Sequence, residues 1–104
     1  MKLPVDFDTS FFEKNRLSIL TILFKEGMVS YNRLKQILKF SDGALYSHLK
    51  KLIETGYIDA EKKIQNNSTA TIYTMTKKGR GEFSLYLNFL ETLVSDLNQT
   101  RKRK

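Results

Sequence analysis

The 104-residue sequence predicts a mainly α fold with one small β-hairpin: a three-helix core, the hairpin, then a long C-terminal helix. Three observations predict it. From about residue 10 to residue 55 the apolar residues recur at helical spacing, interrupted by residues that start and stop helices. After Gly56 the period switches to two, on either side of a polar turn. From Phe83 onward, Phe83, Leu87, Leu90, Val94 and Leu97 alternate steps of four and three, a heptad seam.

Residues 1–9 form a lead-in. Pro4 and the alternating Val5, Asp6, Phe7 and Asp8 do not read as helix, and Phe7 is expected against a neighbour. A first helix is predicted from about Ser10 to Glu26, ended by Gly27. Its apolar residues, Phe11, Phe12, Leu17, Ile19, Leu20, Ile22, Leu23 and Phe24, cover more than the ~100° stripe of a surface helix. Two opposed faces should therefore be buried, one against its own domain and the other against the C-terminal helix or a second subunit. The plainer alternative is a helix central to a small core.

Ser30 then caps SYNRLKQIL. Leu34, Ile37 and Leu38 form its apolar face, with Tyr31 beside them, and Arg33 and Lys35 stay exposed. This helix ends near Lys39 or Phe40, and Ser41 caps the next one, predicted over 41–55. Asp42 in its first turn suits the helix dipole, and Gly56 suits its close. Leu45, Leu49, Leu52 and Ile53 make one buried stripe. At ~100° per residue, Gly43, Ser47, Lys50 and Lys51 point away from it, flanked by Ala44 and Tyr46. A face that is small and polar at its start and basic further on suits a groove lined by base edges and phosphates, although a solvated basic face would read the same. Two short helices and a tight turn, the second exposing such a face, make a helix-turn-helix arrangement, here without a glycine in the turn.

Tyr57 to Ile64 and Thr71 to Thr76 read as strands around the turn residues Gln65 to Thr69, with Tyr73 and Met75 inward and Thr74 outward. This is the hairpin of a winged helix. Thr76 caps the last helix. Gly79 and Gly81 weaken its first turn, so the regular part is expected from near Gly81. Leu85, Tyr86, Phe89 and Leu93 lie outside the heptad seam. That leaves more apolar surface than one small core covers, and a second copy of the chain is the expected remedy, through this helix and the first. The predicted interface is Phe11, Phe12, Phe83, Tyr86, Leu87, Leu90, Leu93, Val94 and Leu97. A terminal helix folded onto its own domain is the alternative.

Composition bounds the function. The chain is one domain, with a core over 10–76, a dimerisation helix over 77–98 and a basic tail over 99–104. Its hydrophobic content of 40% is that of a globular protein. With no cysteine, disulfides, thiolate metal sites and cysteine nucleophiles are excluded. The single His48 stands apart from acidic residues, so no metal and no cofactor are expected. No Gly-rich phosphate loop and no apolar-set carboxylate pair point to an enzyme. No apolar run reaches a membrane span and the N-terminus lacks a secretory pattern, so a cytoplasmic protein is expected. The net charge of +7 is uneven: residues 1–29 are neutral, 30–80 carry +6, 81–100 carry −3, and Arg101 to Lys104 add +4. A polyanion is the expected partner of the middle.

Taken in order, Asn15-Arg16-Leu17-Ser18-Ile19-Leu20, Ser47-His48-Leu49-Lys50-Lys51-Leu52, Glu54-Thr55-Gly56-Tyr57-Ile58 and Tyr73 to Arg80 resemble the winged helix-turn-helix transcriptional regulators of the MarR and ArsR type. The resemblance is greatest to small single-domain members with a dimerising C-terminal helix, and it covers roughly residues 10–97. It implies that bases are read between Asp42 and Lys50, with Ala44, Tyr46, Ser47 and Lys50 foremost, and that His48 packs at the helix border. One departure stands out: such wings usually carry an arginine at the tip, whereas here only Lys62 and Lys63 are basic nearby. Phosphate contact is then the expected role of the wing, not minor-groove insertion.

The function expected is a sequence-specific, homodimeric, double-stranded-DNA-binding transcriptional regulator acting on a pseudo-palindromic operator. Its DNA-binding residues are Arg33, Lys35, Ser41, Gly43, Ala44, Tyr46, Ser47, Lys50, Lys51, Lys62 and Lys63. Two rivals stay open: a winged helix that docks an acidic protein, and a sequence-neutral chromatin protein. A small-molecule effector between the first and last helices also stays open, at residues that serve equally as core.

Overall fold

A computed structural model describes Phe11 and residues 13–102. The expectations for the lead-in, Ser10, Phe12 and the last two residues of the basic tail lie outside the described residues. Seven elements follow in order: α1 Lys14–Glu26, β1 Met28–Ser30, α2 Tyr31–Leu38, α3 Asp42–Glu54, β2 Ile58–Gln65, β3 Ser68–Met75 and α4 Lys77–Lys102. The fold is the winged helix that the sequence predicts, and one strand is added to it.

Local chemistry sets most boundaries. Ser30 and Ser41 cap α2 and α3, each side-chain oxygen accepting from the backbone N–H three residues on, at 3.1 and 3.2 Å. Gly27 ends α1 at φ +85. Between α2 and α3 the left-handed position falls on Lys39, at φ +56, whose N–H returns to the Lys35 carbonyl. A lysine thus does there what glycine commonly does at a helix end. The cap of α1 is Glu13, whose carboxylate accepts from the Arg16 N–H at 2.7 Å.

β1 is the unpredicted element. It pairs antiparallel with β3, which also pairs with β2, so the order is β1-β3-β2. Three residues are too few to display a period of two. The wing turn is also tighter than expected: Asn66 and Asn67 alone make it, both at positive φ, and Gln65 pairs with Ser68. Two left-handed residues match the right-handed twist of the flanking strands, and asparagine tolerates that conformation. At the base of the wing Ile72 and Tyr73, consecutive and so on opposite faces, are both buried, while Thr74 and Met75 are half-buried. The sheet is therefore covered on both sides there, where the sequence suggested one.

The core joins Ile19, Leu20 and Leu23 of α1 to Leu34 of α2, to Leu45, Leu49 and Leu52 of α3, and to Val29 and Ile58 of the sheet. A layer of aromatic rings closes one side. Phe11 stacks on Tyr57 and Tyr86 with centroids 5.6 and 5.1 Å apart, and Phe24 meets Phe83 at 4.9 Å. The second apolar face of α1 therefore meets α4 of its own chain.

The start of α4 departs from expectation. Regular helix begins at Lys77, because Thr76 Oγ1 accepts from the Gly79 N–H at 3.0 Å while donating to the Gly56 carbonyl at 2.6 Å. Gly79 does not weaken this turn: it makes room for Tyr57, whose carbonyl oxygen would lie 2.2 Å from a Cβ at position 79. His48 of α3 reaches α1, with Nε2 3.5 Å from Asn15 Nδ2 and Nδ1 3.8 Å from Glu13 Oε2. That packing at the helix border is the role the resemblance implies for it.

Two expected outcomes follow from these contacts. Gly79→Ala pushes a methyl into the Tyr57 backbone and costs about 2 kcal/mol or more, read as a lowered midpoint in urea unfolding; Gly81→Ala, in open space, serves as the control. Burial opposes ionisation of Glu13, but the Arg16 and Asn15 N–H groups and the nearby His48 and Arg16 charges outweigh it and hold the carboxyl below its ordinary 4.5. A lowered carboxyl pKa stabilises the fold above the ordinary value, and that stabilisation is lost as pH falls through the lowered one. The melting temperatures of wild type and Glu13→Gln should differ at neutral pH and converge as pH falls below the ordinary carboxylate range and through the lowered value; parallel curves would remove Glu13 from this role.

Candidate nucleic-acid interface

α3 presents its outward face as predicted. Gly43, Ser47, Lys50 and Lys51 are exposed, Tyr46 is 63% exposed and Ala44 is half-buried. Nothing lies within 4 Å of where a Cβ on Gly43 would stand. From Gly43 to Lys50 is two turns, about 10 Å of helix axis, comparable with the ~12 Å width of a B-DNA major groove. Leu45, Leu49 and Leu52 hold the opposite face in the core, so the helix is fixed from behind. Ser41 is occupied as the cap of α3, where its hydroxyl accepts from the Ala44 N–H.

The basic residues divide into two groups. Arg33 and Lys35 of α2 are exposed, as expected, but neither is unpaired. The Arg33 guanidinium forks onto Glu26 of α1 at 2.9 and 3.4 Å, which raises its pKa further. Lys35 Nζ lies 2.8 Å from Asp42 Oδ1, and the Tyr31 hydroxyl donates to the same oxygen at 2.9 Å. Lys35, then Tyr31, hold the Asp42 carboxyl below its ordinary range. Burial and Asp42 raise the Tyr31 phenol. Among the described residues no carboxylate pairs with Lys50, Lys51, Lys62 or Lys63.

On the wing, Lys62 pairs with Thr71 and Lys63 with Ala70 in the β2–β3 ladder. Neighbours in a strand point to opposite faces, so the two lysines that the sequence placed together cannot lie on one phosphate strand in the same way. Lys62 shares its face with Ala60 and Ile64, and Lys63 shares its face with Asp59 and Glu61. Ile64 is 81% exposed near the tip. The sequence places it only as the last residue of a strand, and gives no sign that the hairpin tip stands clear of the core. Asp42 and Tyr31 were missed because their juxtaposition spans two helices.

α4 divides along its length. Phe83 and Tyr86 are buried in the core with Phe11. These three were expected at a subunit interface; their own chain covers them, and they have no surface left for a partner. Their rings also fill the space between α1 and α4 considered for an effector. Leu87, Leu90 and Leu93 are half-buried, and Val94 and Leu97 are 54% and 61% exposed. A shallow groove of about 560 Å³ runs along this stripe, lined by Leu87, Leu90, Val94 and polar residues as far as Gln99. Among the described residues no helix is long and apolar enough to cross a membrane.

Comparison with known proteins agrees with this geometry. The family model of the winged helix DNA-binding domain matches residues 15–94. An uncharacterized protein of Methanocaldococcus jannaschii is 38% identical over 72 residues, covering 69% of this chain and 78% of its own. A transcriptional regulator homologue from Pyrococcus horikoshii superposes with a TM-score of 0.78 at 22% identity, over 86% of this chain and 89% of that one. A protein of Enterococcus faecalis, described as a MarR-family transcriptional regulator, superposes over the whole of both chains with a TM-score of 0.75 at 18% identity. At such identities the two structures speak to fold alone.

Proposed function

The chain belongs to the winged helix DNA-binding domain family, and from that premise we propose that it is a homodimeric, sequence-specific transcriptional regulator. Each subunit lays α3 in a major groove and a wing along the neighbouring backbone. The observation that carries the reading is the outward face of α3, small-residued in its first two turns and ending in two lysines without acidic partners. Gly43, Ala44, Tyr46 and Ser47 face the bases. Lys50 and Lys51 meet phosphate, together with whichever of Lys62 and Lys63 the docked wing turns toward the duplex. Two copies related by a two-fold axis demand half-sites one helical turn, about 34 Å, apart.

The second copy is inferred from α4. Beyond Leu87 the helix keeps an apolar stripe of Leu90, Leu93, Val94 and Leu97 that its own domain covers only in part, leaving Val94 and Leu97 exposed. Such a stripe is best hidden against itself.

Replacing Lys50 and Lys51 together by alanine should weaken binding to every duplex and flatten the dependence of log K on log salt by about two. A gel shift unchanged by the double substitution would remove α3 from the groove. Selection of bound fragments from genomic DNA tests specificity. An enriched palindrome supports the regulator, binding without enrichment points to a chromatin protein, and no binding points to a protein-docking domain. Val94→Glu with Leu97→Glu should convert a dimer to a monomer in sedimentation equilibrium with the helical signal of the core retained; a wild type that sediments as a monomer sinks the dimer.

A further inference from the structure

α2 carries its two cations in ion pairs with the helices on either side, Arg33 with Glu26 of α1 and Lys35 with Asp42 of α3. Asp42 is the informative partner. It is the first residue of the helix whose face meets the polyanion, and a carboxylate there repels phosphate. α3 does not need it as a cap, since the Ser41 hydroxyl fills that place. Its side chain is 67% exposed, so core packing does not require it either. What it does is hold two donors on one oxygen, the Lys35 ammonium at 2.8 Å and the Tyr31 hydroxyl at 2.9 Å. Both are groups that would otherwise be free to contact a DNA backbone.

We propose that Asp42 limits the sequence-independent part of DNA affinity, as a carboxylate that occupies Lys35 and Tyr31 and withholds them from the phosphates of any duplex. The inference rests on the DNA-binding reading of α3. Phosphate contacts carry no sequence information and raise affinity for all duplexes alike. Withholding a cation therefore lowers the affinity for every duplex, while the base-facing residues from Gly43 to Ser47 stay in place, so base contacts carry a larger share of the binding free energy. Arg33, two residues before Lys35, is paired on another side of α2, its guanidinium forked onto Glu26 of α1.

The test is a set of anisotropy titrations of the full chain against a mixed-sequence duplex, repeated across a salt series. The proteins are wild type, Asp42→Asn, Lys35→Gln and the double variant, each checked for folding by its melting curve; Asp42→Ser replaces Asp42→Asn if the latter unfolds. Asp42→Asn is expected to bind several-fold more tightly, with its log K against log salt steeper by about 0.9, one additional phosphate contact. Lys35→Gln alone should leave the wild-type slope unchanged, and in the Asp42→Asn background it should restore that slope. The proposal is overturned if Asp42→Asn tightens binding without steepening the slope, which would be loss of repulsion alone. It is equally overturned if Lys35→Gln alone flattens the wild-type slope, since Lys35 would then already sit on phosphate. A wild type that binds no duplex at any salt overturns the DNA-binding reading instead, and this inference with it.

Discussion

The structure turns on one junction, where the wing returns to the body of the domain. Thr76 lies between the Gly56 carbonyl and the Gly79 N–H and bonds to both. The Thr76 N–H also donates to the Tyr57 carbonyl at 3.0 Å, the oxygen that Gly79 leaves room for. Gly56 follows the end of α3, Tyr57 precedes the wing and Gly79 sits in the first turn of α4. One threonine thus ties together the exit of α3, the base of the hairpin and the start of the long helix. Lys78 adds to it by reaching back to the Thr55 carbonyl at 2.9 Å and lying over the Tyr57 ring. An isolated hairpin is marginal in water. Here both its ends are pinned, and Ile58, Tyr73 and Val29 anchor it in the core.

Much of this was legible in the sequence, and the exceptions have physical reasons. Ser30 and Ser41 as caps, the turn of Gly56 at the end of α3 and the bond that Thr76 accepts from the Gly79 N–H are local, so spacing alone exposes those helix ends; the bond from Thr76 to Gly56 is not local and was not legible. The stripe Leu45, Leu49, Leu52 is equally local, and with it the outward face of α3. The misses are nonlocal or too short. β1 exists because β3 offers it an edge, and Gly79 matters because Tyr57, distant in sequence, passes over it. The pairs Arg33–Glu26 and Lys35–Asp42 need α2 to lie at a particular angle to its neighbours. Phe11, Phe83 and Tyr86 were rightly read as apolar and in need of cover, but a sequence does not say whose surface supplies the cover.

The charge pattern sharpens once the pairs are known. A net charge of +7 suggests a broadly basic surface, yet α2 contributes little free positive charge to it. Exposed pairs of this kind add little to stability, whereas burying a single phenylalanine is worth roughly 1.5–3 kcal/mol. The aromatic layer around Phe11 therefore governs stability, and the ion pairs govern where an approaching polyanion finds free cations. Among the described residues, Lys50 and Lys51 of α3 and Lys62 and Lys63 of the wing have no carboxylate partner, and the first two lie on the same exposed helix face as Gly43 and Ser47.

α4 carries the remaining argument. Twenty-six residues at 1.5 Å each make a helix about 39 Å long, in a molecule measuring 61 × 24 × 22 Å. The first two to three turns are held by Phe83 and Tyr86 in the core. Past Leu90 nearly every residue is exposed, including Val94 and Leu97. Isolated helices of such a length are marginal in water, and tertiary packing of an apolar face is what ordinarily sustains them. Leu90, Leu93, Val94 and Leu97 supply such a face, and Glu91 and Asp96 flank it. Clamped at one end by Thr76 and bare at the other, the helix is an arm that leaves the core. If two such arms pack together, the distance between two copies of α3 is set by the clamp and not by a flexible linker. Operator spacing would then follow from the same junction that holds the wing.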